Sequence, residues 1–185
     1  FSGDNALIEG FMRNGYSIEL ARERIALGCN WMSIPGREYT LNDTVKINLM
    51  KVFEVAFNEI ADSGKFSLGA LHKCYQKHLA RAAFCIAEGL DFHLAHQYRN
   101  EPELLLNLLC YGPIEKGRDA SHGGVDFYNM CCDGAGLAVV ADSFAALQTQ
   151  VVERKRITWR ECVEAVHSDF RNENGEQIRR LLASS

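Results

Sequence analysis

Apolar residues recur at three- and four-residue intervals along most of the chain, the signature of helices that bury one face. NALIEGFMRN (5–14) and SIELARERIA (17–26) follow this pattern and predict two short helices, with Gly15 between them and Ser17 as an N-cap. TVKINLMKVFEVAFNEIAD (44–62) is apolar around most of its circumference, which predicts a buried helix. Asn42 or Asp43 stands ready to cap it and Ser63-Gly64 to end it. From Ser67 to about Gln97 one long helix is predicted, with Gly89 as a point of bending, and Asn100-Glu-Pro-Glu restarts another through Leu109. VDFYNM (125–130), which follows the helix-breaking Gly123-Gly124, is the best strand candidate. A helix with many small residues is predicted over 136–152, a capping box in TWRE (158–161) opens one that runs to Phe170, and NGEQIRRLLASS (174–185) begins the last.

The pattern predicts a mostly helical chain whose strand signals are too few to make a sheet. Neither a repeat nor a low-complexity linker divides it, so a single piece over residues 1–185 is expected, with 47% apolar residues to fill a core. The net charge of −4 comes from interspersed acids and bases without a basic stripe, which argues against a nucleic-acid partner. No apolar stretch approaches the roughly 20 residues of a membrane span, and the N-terminus lacks a signal-peptide layout, so a cytoplasmic protein with no membrane partner is expected. Seven cysteines (29, 74, 85, 110, 131, 132 and 162) without a framework spacing point to reduced thiols. The chain opens on Phe1 rather than an initiator methionine, which suggests a piece of something longer.

Chemistry is concentrated around Cys29, in a Gly-Cys-Asn-Trp turn followed by Pro35-Gly36. Such a cysteine is either a small buried apolar residue or a reactive group on a positioned loop. No helix N-terminus or flanking Lys or His lowers its pKa, so chemistry through a neutral S–H fits better than a thiolate nucleophile. The run ARERIALGCNWMSIPGREYTLNDTVKINLMKVFEVAF (21–57) resembles the cysteine-loop region of glycyl radical enzymes, the pyruvate formate-lyase superfamily. In their dehydratase branch an Ala-Arg helix end precedes Gly-Cys-Val-Glu-Pro, then Pro-Gly, then an Asp before an apolar helix. Cys29, Pro35-Gly36 and Asp43 match that spacing. A second block from Asn100 to Trp159, containing Gly117-Arg118-Asp119, Gly123-Gly124 and GLAVVADS, resembles the family's later segment. The likeness runs over almost the whole chain.

The resemblance implies an α/β fold, the mostly helical portion of a ten-stranded α/β barrel. It also implies that Cys29 is the catalytic residue, a thiyl radical that takes hydrogen from a small organic substrate. The radical would come from a glycyl residue activated by a separate S-adenosylmethionine-dependent activase, so this chain would bind no cofactor itself. Its partners would be that activase, the substrate, the remaining part of the enzyme or another subunit, and a second copy in a homo-oligomer. The N-terminal half of the barrel and the Arg-Val-x-Gly-Tyr radical loop are absent from these 185 residues, so this piece alone would be incomplete.

Asn30, Trp31, Asn42 and Asp43 are the expected substrate-binding residues. Trp31 stands where several branches have the Glu that serves as acid or base, and an indole transfers no such proton. It offers instead a flat apolar wall, or ordinary packing under the loop. Asp43 is either a helix N-cap or a substrate contact, and both roles are compatible. A decarboxylase, a C–C lyase or a fumarate-adding synthase therefore ranks with or above a dehydratase. His93 and His96 lack a further ligand pair, so no metal is expected. Cys131-Cys132 resembles the adjacent catalytic cysteines of pyruvate formate-lyase but stands in a different motif and reads as structural. Gly134 and Gly136 lack the phosphate-loop pattern. Arg118-Asp119 and Asp142-Ser143 are expected to bond to backbone. The alternative from another class is a non-catalytic helical assembly or adaptor subunit, in which Cys29 is a passenger. A downstream Arg-Val-x-Gly-Tyr loop would favour the enzyme, and a stop after Ser185 the adaptor.

Overall fold

A computed structural model describes residues 4–28 and 31–184, with Asn42 described by its backbone alone. Helices dominate, joined by two two-stranded sheets. The elements are α1 (Asp4–Arg13), α2 (Ile18–Glu23), β1 (Ile25–Leu27), β2 (Trp31–Ser33), β3 (Glu38–Asn48), α3 (Leu49–Asp62), α4 (Leu68–Asn100), α5 (Leu106–Leu109), α6 (Pro113–Lys116), β4 (Phe127–Ala135), α7 (Leu137–Leu147), α8 (Trp159–His167) and α9 (Gly175–Ala183). They form two compact units, one built from Phe1–Thr44 with Glu88–Cys131 and the other from Val45–Ala87 with Cys132–Ser185.

In the first unit, β1 and β2 form an antiparallel hairpin in which Ile25 faces Ser33 and Leu27 faces Trp31. A small core of Tyr39, Ala120 and Val125 is wrapped by Leu41, Leu94, Leu106 and Tyr128. The buried Tyr39 hydroxyl donates to Glu103 Oε1 at 2.7 Å and accepts from the Gln97 amide. Asp119 organises the turn before β4: it accepts from the N–H groups of Ser121 and Glu103, the Ser121 hydroxyl and the Asn107 amide. Burial alone would raise its pKa, but those donors outweigh it and hold the carboxyl below its ordinary value. Gly112, at φ 105°, closes the same loop, since a Cβ there would come within 2.3 Å of the Gly124 carbonyl.

In the second unit the core gathers Phe53, Ala56 and Phe57 of α3, Leu71 and Tyr75 of α4, Val140 and Leu147 of α7, and Cys162, Ala165 and Ile178 of the last two helices. Phe53 meets Phe144 edge to face at 5.1 Å, and Trp159 stacks on Phe66 at 4.0 Å. After Leu147 the helix widens, and its last turn closes when Arg154 N–H donates to the Thr149 carbonyl five residues back.

Four expectations are corrected. Residues 44–48 belong to β3, and the helix begins only at Leu49, capped by the Asn48 side chain, which accepts from Lys51 N–H at 2.9 Å. Asp43 is therefore no N-cap. Thr44, Val45 and Ile47 are β-branched, and TVKIN also satisfies a two-residue alternation, so the partner strand β4 decides its state. The helix expected over 17–26 stops at Glu23, because Ile25, Ala26 and Leu27 pair with β2. Sheets do form, since β4 extends past Met130 to Ala135 and pairs with β3. At their starts the Arg37 carbonyl accepts from the N–H groups of Asp126 and Phe127, and at their ends Gly134 lies against Leu49, so the two run parallel. The capping box holds: Thr158 and Glu161 satisfy each other's backbone N–H groups at 3.2 and 2.7 Å. That helix ends at His167 rather than Phe170, where Asp169 and Phe170 turn left-handed.

Candidate active site

The β1–β2 hairpin carries the segment that contains Cys29. Leu27 and Trp31 are its last facing pair, so positions 28–30 connect them. Gly28 has φ of 34°, and a Cβ there would lie 3.5 Å from the Trp31 indole nitrogen, so the lack of a side chain lets the ring sit close to the turn. Cys29 and Asn30 themselves lie outside the described residues.

Trp31 and Met32 line a hollow of about 410 Å³ in the first unit, together with Phe11 and Tyr16 on the helical side and Asn129, Met130 and Cys131 on β4. The walls are aromatic and thioether, which suits a small ligand with an apolar face, and the polar groups are few and fixed. Tyr16 stacks on Phe127 at 4.1 Å and meets Phe11 edge to face at 5.0 Å. Its hydroxyl donates to Glu38 Oε1 at 2.7 Å and accepts a long contact from the Asn129 amide at 3.4 Å. Burial, then the hydrogen bond to the Glu38 carboxylate, pushes the Tyr16 pKa up to about 12, so it stays a neutral phenol.

Glu38 is buried, at 7% exposure, and ties the hairpin to the hollow. Its other oxygen accepts from Ser33 Oγ at 2.8 Å and Ile34 N–H at 2.9 Å, immediately after the cysteine turn. Nothing in the sequence pattern singled out Glu38 or Tyr16. β3 itself was not predicted, and the donors to Glu38 come from positions 16, 33, 34 and, at a longer 3.4 Å, 40.

The structure thus brings Trp31 to the hollow but leaves Asp43 off its wall. Asp43 is exposed on β3 with φ of 53°, a left-handed conformation that Asp tolerates better than most residues. Asn42 sits beside it in the strand, its side chain outside the described residues. Cys131 faces the hollow, while Cys132 is exposed. His93 and His96 belong to no ligand cluster among the described residues; His96 Nδ1 contacts the Phe92 carbonyl at 2.8 Å. In the second unit Glu59, Cys74 and His78 do converge, their donor atoms within 4.8 Å of one another. Cys74 and His78 are four apart on one helix, a spacing visible in the sequence, but Glu59 comes from the helix before. Among the described residues no helix is long and apolar enough to cross a membrane.

Comparison with known proteins gives this geometry a frame. The family described as pyruvate formate lyase-like matches residues 1–185. A (2S)-3-sulfopropanediol dehydratase of Klebsiella oxytoca is 24% identical over 90% of the chain and 22% of its own length. A trans-4-hydroxy-L-proline dehydratase of Clostridioides difficile is 25% identical over the whole chain and 25% of its own length. A glycyl radical enzyme from Archaeoglobus fulgidus superposes with a TM-score of 0.79 at 22% identity, over 96% of this chain and 24% of that one. The chain spans about a quarter of the length of these relatives. A match from the first residue to the last, with the parallel pair and its helices in the same fold, means that the chain belongs to the pyruvate formate lyase-like family of glycyl radical enzymes and is a mostly helical part of their α/β barrel.

Proposed function

We propose that this chain supplies the cysteine loop of a glycyl radical enzyme, with Cys29 as the residue that takes hydrogen from a small organic substrate. The family match over residues 1–185 carries this reading, and the hollow beside the β1–β2 hairpin supports it. A glycyl radical elsewhere in the complete enzyme, installed by a separate S-adenosylmethionine-dependent activase, supplies the unpaired electron. Cys29 gives its S–H hydrogen atom to the glycyl radical, the sulfur takes one from a substrate carbon, after rearrangement the product radical takes that atom back, and the thiyl then recovers its first hydrogen from the glycine Cα, which becomes the radical again. Sulfur, hydrogen and spin all return to their starting state in each turnover. The hollow's role is to hold the substrate carbon at the sulfur and keep water and other hydrogen donors away. Trp31 is the apolar wall in this proposal, and Asn30, Asn42 and Asp43 are its polar substrate contacts in the complete enzyme, Asp43 from outside the wall of this hollow.

Two curated relatives are named as dehydratases, which supports elimination of water. One observation favours a second reading: the residue two after the cysteine is Trp31, an aromatic wall of the hollow rather than a proton carrier. Under that reading the substrate radical breaks or forms a carbon–carbon bond, as in a decarboxylase or a fumarate-adding synthase. The test is mass spectrometry of products from the full-length enzyme after anaerobic activation. Loss of all product in Cys29→Ala, with the glycyl radical still visible by electron paramagnetic resonance, is expected. An unchanged yield would end the thiyl proposal. Release of a carbonyl compound and water identifies the elimination, whereas carbon dioxide, a shortened fragment or an adduct identifies carbon–carbon chemistry.

A further inference from the structure

The Glu59, Cys74 and His78 cluster has a chemistry that helix packing leaves unexplained. His78 Nε2 lies 2.7 Å from Glu59 Oε2, and Lys77 Nζ donates to Glu59 Oε1 at 2.8 Å, so the carboxylate is already served by two partners. The Cys74 thiol is also turned toward Glu59, although a thiol is a weak donor. A buried sulfur, an imidazole and a carboxylate on two adjoining helices form a mixed soft and borderline donor set, the kind that selects Zn²⁺ over Mg²⁺ or Ca²⁺.

We propose that Glu59 of α3 and Cys74 and His78 of α4 form a three-ligand site for Zn²⁺ or a similar divalent ion, with water as the fourth ligand, that fastens the two helices together. The spacing supports this. Zinc takes sulfur at about 2.3 Å and nitrogen or oxygen at about 2.0–2.2 Å, which puts tetrahedral ligand atoms about 3–4 Å apart. The three donors, all within 4.8 Å, reach that arrangement by rotamer adjustment, with the His78 to Glu59 contact opening slightly. Cys74 and His78 sit one helical turn apart, so both already face the same side of α4. Lys77 opposes the ion by charge, and Arg81 adds to that field. The Lys77 side chain is 63% exposed and has room to swing into water when a metal takes its place on the carboxylate. Binding at sulfur releases the thiol proton to solvent, with no change of oxidation state.

The experiment uses the full-length protein, stripped of metal with a chelator under reducing conditions. Zn²⁺ affinity is measured by competition with a chromophoric chelator, and Co²⁺ is used to read thiolate ligation from its near-ultraviolet absorption. Cys74→Ala should abolish the thiolate-to-cobalt band that belongs to this site. Glu59→Gln, a substitution at an exposed position that leaves the core untouched, should weaken Zn²⁺ binding roughly tenfold or more, and His78→Gln likewise. Lys77→Met should bind at least as tightly as the parent. Added Zn²⁺ should raise the melting temperature of the parent and leave that of Glu59→Gln unmoved. Equal Zn²⁺ affinity in the parent and in both Glu59→Gln and Cys74→Ala would overturn the proposal, as would weaker binding in Lys77→Met.

Discussion

Glu38 shows what a single side chain can hold in place. A buried carboxylate is stable only while its donors are present, and here they are Tyr16, Ser33, Ile34 and, more distantly, Thr40. Glu38→Ala would leave a phenol, a hydroxyl and an N–H without their acceptor and should cost about 3 kcal/mol of stability, read from the midpoint of chemical unfolding. The same contact sets a pH response. Because the folded Tyr16 pKa lies near 12, above its ordinary value of 10.0, stability is complete below pH 10 and falls as the pH rises from about 10 to about 12. In Glu38→Gln the phenol should titrate closer to 10, measured by tyrosinate absorbance. Asp43 permits a cleaner separation of roles. With φ at 53°, Asp43→Gly keeps the backbone and removes the carboxylate, so a loss of turnover without a loss of stability would assign the effect to the carboxylate itself. Asp43→Val keeps neither and should destabilise by about 1–2 kcal/mol.

Individual elements differ in how much of them could be read from the residues. α4 and the Thr158–Glu161 capping box were legible, because long amphipathic periodicity and a four-residue box are local signals. Thr158→Ala should lower stability by about 1 kcal/mol, seen as an earlier thermal transition, because Glu161 N–H loses its acceptor. β3 was not legible. TVKIN carries apolar residues that fit either period, and the choice falls to β4, nearly ninety residues later. The candidate site divides in the same way. Cys29 and Trp31 stand out because a turn sequence surrounds them, whereas the Glu38 knot and the Glu59, Cys74 and His78 cluster exist only once separate segments meet. The thiols follow this burial. Cys85 and Cys132 are exposed, whereas Cys162 is 1% exposed and its pKa is pushed up to about 11 by burial. Alkylation at neutral pH should therefore label the first two quickly and Cys162 only on unfolding.

Across the whole molecule, one stretch of surface departs from what an isolated soluble chain presents. Leu104, Leu105, Leu108, Leu109, Tyr111 and Ile114 are each 65–73% exposed within eleven consecutive positions. A strip of that kind should make the 185-residue piece self-associate, and replacing Leu104 and Leu108 with Glu should shift it toward the monomer in light scattering. The division into two units has a consequence of another kind. Each is stitched from two stretches of sequence, and the chain passes between them at 44/45, 87/88 and 131/132. A single recombination between two related genes therefore always splits at least one unit, and exchanging either one intact needs breaks at all three junctions. With a single break, the unit that holds the cysteine hairpin moves intact only together with residues 45–87 of the other, so an innovation there carries that stretch with it through descent.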